Sequence, residues 1–183
     1  MKHLRKPIYI IFLILFLLIS FKNFSQNIEQ KDSINNKLIN AAREIMVASG
    51  TCALITLDEK NLPMVRVMSP FLPENDFKVW FGTNPKSRKV NQIKKNPKVT
   101  LYYLDNDVSG YVVIHGTAQL VDDQKEKEKR WKVEWEAFYP NRPEGYLLIK
   151  VSPEWMEVLS FKRGIVGNPI TWKAPVVHFD SIK

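Results

Sequence analysis

The chain has 183 residues, 45% of them hydrophobic and 25% charged, with a formal charge of +8. That length suits one domain with a core and is too short for two of ordinary size. The composition excludes a disordered, collagen-like or coiled-coil protein, and the sequence shows no internal repeat or low-complexity tract.

The N-terminus differs from the rest. Lys2, His3, Arg5 and Lys6 precede an unbroken apolar run from Ile8 to Ile19, and the polar stretch Lys22 to Gln26 follows. This is the layout of a signal peptide, and the run is shorter than the about 20 apolar residues that span a bilayer as a helix. Residues 1–25 are therefore expected to be an export signal cleaved near Ser25 or Gln26, leaving a periplasmic or secreted protein. Retention as a membrane anchor is the alternative. No cysteine stands at the end of the run, which excludes a lipid-modified N-terminus at that position. Residues 1–25 hold four basic and no acidic side chains, so without them the formal charge is +4. The remaining charge lies in mixed-sign runs such as KEKEKR, residues 125–130, which argues against a nucleic-acid partner. Cys52 is the only cysteine, so no internal disulfide can form. Its neighbours Ala53, Leu54 and Ile55 mark it as a buried strand thiol, and no His/Asp set is recognisable to make it a nucleophile.

Residues 26–50 lead into the main domain. Ile34, Leu38, Ala41, Ala42, Ile45 and Met46 are spaced for an amphipathic helix over residues 31–49, and Gly50 is placed to end it in a left-handed cap. TCALITL (51–57) and LPMVRVM (62–68) read as a hairpin around Asp58-Glu59-Lys60-Asn61. FKVWFG (77–82) reads as a third strand, and residues 85–95 as a short helix stopped by Asn96-Pro97. KVTLYYL (98–104) and GYVVIHGTAQLV (110–121) follow as strands, the second bent at Gly116. Residues 123–138 return to helical spacing, with Trp131, Trp135 and Phe138 on one face as a core stripe or a ligand wall. GYLLIKV (145–151) and EWMEVLSF (154–161) are the late strands, and residues 162–183 form an irregular tail with Pro169 and Pro175. Six or seven mostly antiparallel strands with single inserted helices describe a mainly β protein, a small barrel with peripheral helices in place of a βαβ sheet.

The chemistry gathers at TNPKSRK. Asn84 suits a helix N-cap and Pro85 the first helical position, which places Ser87, Arg88 and Lys89 in the first turn. A helix start favours acids there, so bases create a conflict that a bound anion resolves. Arg66 shares a strand face with Met64 and Met68, while Val65 and Val67 point the other way. A buried arginine among methionines needs an anionic partner. Either a carboxylate such as Asp105 or Asp107, or a phosphate shared with Arg88 and Lys89, would serve.

The order VRVM, then WFGTNPKSRKVNQIKKNPKVTLYYLD, then YVVIHGTAQLV resembles the flavin-mononucleotide-binding split-barrel family related to pyridoxamine 5′-phosphate oxidase and the general stress proteins. The resemblance spans about residues 38–160 and is most specific from Arg66 to Leu120. It implies a six- to seven-stranded antiparallel split β-barrel over residues 51–161, built as a homodimer with flavin mononucleotide (FMN) at the subunit interface. It further implies that Arg66, Ser87, Arg88 and Lys89 bind the phosphate. Val67, Met68, Trp80, Phe81, Gly82 and Thr83 would line the ribityl chain and isoalloxazine ring, and Trp172 would reach the partner's site. The arginine-rich C-terminal segment with which pyridoxamine 5′-phosphate oxidases hold their substrate is not recognisable here, which argues against that specific activity.

The function expected from this is a flavin-dependent oxidoreductase acting on an unknown small substrate. Two alternatives remain: a haem-binding or haem-handling protein using His115 or His178 as iron ligand, and a non-catalytic flavin-binding stress module. No general acid or base stands out and no set of metal ligands is evident. His115 reads either as a proton donor or as a hydrogen-bonded barrel histidine, and His178 as a surface residue.

Overall fold

The computed structural model describes residues 32–142 and 144–179, so the N-terminal apolar run and the cleavage expected near Ser25 or Gln26 lie outside the described residues. The chain divides into two units, residues 1–37 and 38–183. In the first, residues 32–37 are helical; in the second, residues 38–49 form helix α1. Leu38, Ala41, Ala42, Ile45 and Met46 are buried, one stripe at helical spacing. Gly50 follows in the left-handed region at φ +62, the conformation a glycine cap supplies without steric cost.

The strands are β1 (Cys52–Leu57), β2 (Pro63–Met68), β3 (Val79–Thr83), β4 (Lys98–Leu104), β5 (Gly110–Val121), β6 (Leu147–Ser160) and β7 (Val176–His178). Helix α2 (Arg88–Lys95) lies between β3 and β4, and α3 (Gln124–Lys129) between β5 and β6. The β1–β2 turn is fixed by Asp58, whose carboxylate accepts from the backbone N–H groups of Lys60 and Leu62 at 2.8 and 2.9 Å. All pairings are antiparallel. The strand order is β2-β1-β4-β5-β6-β3, with β7 pairing a separate stretch of β6. The path ends at β2 and β3 without joining them, so the sheet is an open, split barrel, mainly β with peripheral helices. Its core joins the α1 stripe to alternate residues of the strands, among them Leu54, Leu101, Tyr103, Ile114, Met156 and Val158.

Three elements differ from the sequence reading. The two late strands are one continuous β6 running through Pro153. The β5 register shifts between His115 and Gly116, setting Gly116 opposite Pro153; this bulge is the kind of position where a strand accepts a proline. A Cβ on Gly116 would overlap the carbonyl oxygen of Ser152. Gly116→Ala is therefore expected to cost about 1–3 kcal/mol in denaturant unfolding, the range for an overpacked position.

Residues 123–138 are not one helix. Arg130 leaves helical geometry after α3, and only Val133–Trp135 resume a single 3₁₀ turn. The reason is tertiary: the Arg130 guanidinium is buried over the Trp80 ring, 3.7 Å from its centroid, and pairs with Glu74 at 2.7 Å. The expected aromatic stripe is broken in consequence, with Trp135 buried and Phe138 exposed. Finally, the tail is less irregular than expected. A 3₁₀ turn (Phe161–Arg163), a bridge between Ser160 and Ile165, and β7 attach it to β6; three residues are too few for β7 to show a period.

Candidate functional site

On β2, Val65 and Val67 are exposed while Met64, Arg66 and Met68 face the other side, as the alternation predicts. Arg66 reaches back over β1. Its Nη1 donates to Thr56 Oγ1 at 2.7 Å and to the Leu54 carbonyl at 3.4 Å, and its Nη2 donates to Gln92 Oε1 at 2.9 Å. The Thr56 hydroxyl donates to the same Gln92 oxygen at 2.7 Å. Arg66 thus has neutral partners. The carboxylates weighed for it are engaged elsewhere, Asp105 with Arg163 at 2.7 Å and Asp107 with Lys162 at 3.3 Å.

The end of β3 carries the buried Thr83. Its Oγ1 lies 3.1 Å from Ser87 Oγ and accepts from Lys89 Nζ at 3.2 Å. The helix begins later than expected. Asn84 is not its N-cap, because the Asn84 Oδ1 accepts from the Lys86 N–H at 2.8 Å and closes a turn that contains Pro85. Ser87 occupies the cap position, yet makes no side-chain cap bond. Arg88 and Lys89 open the helix with no acid in the first turn, and the first N–H groups are left without a capping side-chain oxygen.

The electrostatics follow from that arrangement. Burial, and then the nearby Arg88 charge, push the Arg66 pKa down; burial, and then Arg66, do the same to Lys89. Arg88 makes no ion pair among the described residues. Two half-buried cations and one exposed one therefore converge with only neutral oxygens between them. A guanidinium, an ammonium, hydroxyls and an uncapped helix start are a donor set that fits a phosphate monoester. Lys89 gives this a pH signature. Its lowered pKa in the free protein rises again when a phosphate binds. Affinity for a phosphate ligand is thus expected to fall as pH rises, starting below the ordinary lysine value of 10.5, in a titration by fluorescence or calorimetry.

Other expected contacts are placed differently. Met68 packs partly buried against the main core, and Phe81 is wholly inside it, so the Phe81 ring is closed to a ligand. Trp80 turns into a second aromatic cluster with Trp135, Tyr146 and Leu148, its Nε1 donating to Glu74 at 3.0 Å. Gly82 lies directly beneath the Trp135 ring. Trp135 and Trp131 are packing residues of this cluster. Trp172 is exposed and has no hydrogen bond or ring contact with the cationic cluster among the described residues.

His115 stacks on Trp155 with centroids 3.8 Å apart, and its Nδ1 is 3.2 Å from the Thr100 hydroxyl. Burial lowers its pKa against an opposing effect of Glu157. It lines a separate cavity of about 280 Å³ with Lys98, Thr100, Glu154 and Trp155. His178 is exposed on β7. Cys52 is buried, its thiol pushed up to about 12 by burial, which suits the core role expected for it.

Thr56 and Gln92 are the site residues that sequence reading missed. The available signal was a polar Gln92 on the buried side of α2 between Val90 and Ile93, and a threonine closing the inward series Cys52, Leu54, Thr56.

The model of a family described as pyridoxamine 5′-phosphate oxidase like matches residues 37–171. General stress protein 26 from Bacillus anthracis str. Sterne is 25% identical, with a TM-score of 0.58 over 67% of this chain and 93% of its own. A Clostridium acetobutylicum protein related to general stress protein 26 of B. subtilis, of the pyridoxinephosphate oxidase family, is 23% identical. Its TM-score is 0.66 over 79% of this chain and 96% of its own. A haem-binding protein from Mycobacterium smegmatis shares the fold at 10% identity, with a TM-score of 0.55 over 67% of this chain and 53% of its own. No curated protein matches the sequence.

Proposed function

The chain belongs to the pyridoxamine 5′-phosphate oxidase like family, and from that premise we propose that it binds FMN and acts as an exported flavin-dependent oxidoreductase on a small molecule. The observation that carries this reading is the pair of half-buried cations, Arg66 and Lys89, whose hydrogen-bond partners are all neutral. With Ser87 and Arg88 they bind the phosphate. The backbone of Trp80, Gly82 and Thr83, with Val67 and Met68, lines the rest of the cofactor. When bound, the flavin ring accepts a hydride or electrons and passes them on. The chain's own part is to hold and orient it.

A homodimer belongs to the same reading. Val65 and Val67 stand exposed beside Arg66 and offer apolar surface to a second copy, whose Trp172 would approach the flavin. Export rests on the basic and apolar layout of residues 1–25. A second reading, haem binding, has one observation in its favour: His115 sits in a cavity with its Nδ1 occupied by Thr100, which directs Nε2 to other partners.

The two separate on adding FMN and haem in turn to the purified protein and recording absorption. The expected result is a perturbed flavin spectrum with quenched fluorescence. An intense haem band without flavin uptake would overturn the flavin reading in favour of haem, and uptake of neither would leave a module without redox function.

A further inference from the structure

We propose that Thr56 and Gln92 are positioning residues that aim Arg66 at the ligand's phosphate, and that the neutral amide at position 92 keeps the cluster's positive charge available to that ligand. This rests on the FMN reading above and adds how the phosphate is selected.

The geometry is specific. A guanidinium has five N–H donors in a planar fork. Thr56 and Leu54 take the two of Nη1, and Gln92 takes one of Nη2. The Nε–H and a second Nη2–H have no partner among the described residues, and a phosphate engages a guanidinium through such a pair. Gln92 Oε1 accepts from both Arg66 and Thr56, which fixes the amide with its oxygen toward Arg66. Both residues are buried, so neither hydrogen bond is readily replaced by water. The fork is thus held from behind by a threonine–glutamine pair, one on β1 and one on α2, before any ligand arrives.

Arg163 in the same molecule shows the contrary design. It is held by two carboxylates, Glu44 at 2.8 Å and Asp105 at 2.7 Å, and its pKa is raised. That arginine stays charged, its charge balanced by carboxylates, and its role is structural. Arg66 occupies an equally bonded position with amide and hydroxyl oxygens where carboxylates would fit, and its pKa is lowered. A glutamate at 92 would keep both hydrogen bonds and the side-chain shape while pairing with Arg66.

The test compares dissociation constants for FMN and for riboflavin, which carries the same ring without the phosphate, by flavin fluorescence. The purified protein, Gln92→Glu, Thr56→Val and Thr56→Ser are measured alongside thermal unfolding. The wild type is expected to prefer FMN by about 100-fold, as charge-assisted hydrogen bonds allow. Gln92→Glu should reduce that preference at least about tenfold and flatten its salt dependence, with riboflavin affinity and unfolding temperature unchanged. Thr56→Val should reduce it and Thr56→Ser restore it.

A Gln92→Glu protein that prefers FMN as strongly as wild type overturns the inference and leaves the flavin reading standing. So does a Thr56→Val protein that loses thermal stability while the preference stays intact. If Gln92→Glu does not fold, the two Thr56 variants decide. A wild type that binds both flavins equally overturns the phosphate site, and this inference with it.

Discussion

Replacing Arg66 with alanine is expected to weaken FMN binding about 10–100-fold and to leave riboflavin binding unchanged. The range follows from a charged hydrogen-bond contribution of about 1.5–3 kcal/mol, at about 1.4 kcal/mol for each factor of ten. The folded protein should tolerate the change, because Thr56 still donates to Gln92 once the guanidinium is gone, and one of three converging positive charges is removed. Lys89→Ala should act in the same direction, since its ammonium is half-buried beside Thr83 with no acidic partner. The two effects need not add, because the Arg66 charge is one cause of the lowered Lys89 pKa. Titration of FMN and riboflavin into each variant checks this. Equal losses for both flavins would mean that Arg66 supports the fold instead of the phosphate.

Trp135→Ala is expected to cost about 3–5 kcal/mol of stability, the range for removing a buried tryptophan or phenylalanine. Trp135 packs edge-on against Phe71, Trp131, Tyr139 and Tyr146, with ring centroids 5.5 to 5.9 Å away. Gly82 lies below it with no side chain to fill the space, so the site cannot collapse and the upper part of the range is favoured. The functional consequence is local. Gly82 adjoins Thr83, the residue that bonds Ser87 and Lys89, so FMN affinity should fall with stability. Phe138→Ala is the control: that ring is exposed, and its removal should cost under about 0.5 kcal/mol. Denaturant unfolding of the two variants measures both.

Strands with strict alternation were legible from the chain alone. In β1, β2, β4 and β5 as far as Gln119, every second residue is more buried than its neighbours, and the α1 stripe with its Gly50 cap follows from spacing and one glycine's freedom. What sequence periodicity could not show was set by distant partners. Arg130 leaves α3 for Trp80 and Glu74, some fifty residues earlier, and a helical pattern carries no trace of that. The single strand β6 reads as two in the sequence because what accommodates Pro153, the bulge at Gly116, lies on another strand. At the site, the charged members could be found because a base in a helix's first turn is anomalous. Thr56 and Gln92 are ordinary residues whose role exists only once β1, β2 and α2 are packed together. The helix start was misplaced for a local reason, since Asn84 can serve a turn as well as a cap.

In the proposed function, Arg66, Ser87 and Lys89 together grip a flavin's phosphate. A structure of the protein with FMN tests it most directly. The phosphate is expected at the start of α2, within hydrogen-bonding distance of the Arg66 guanidinium, the Ser87 hydroxyl and the Lys89 ammonium, with Gln92 and Thr56 still bonded behind Arg66. A phosphate seated elsewhere, such as in the His115 and Trp155 cavity, with the Arg66 fork unengaged, would contradict it.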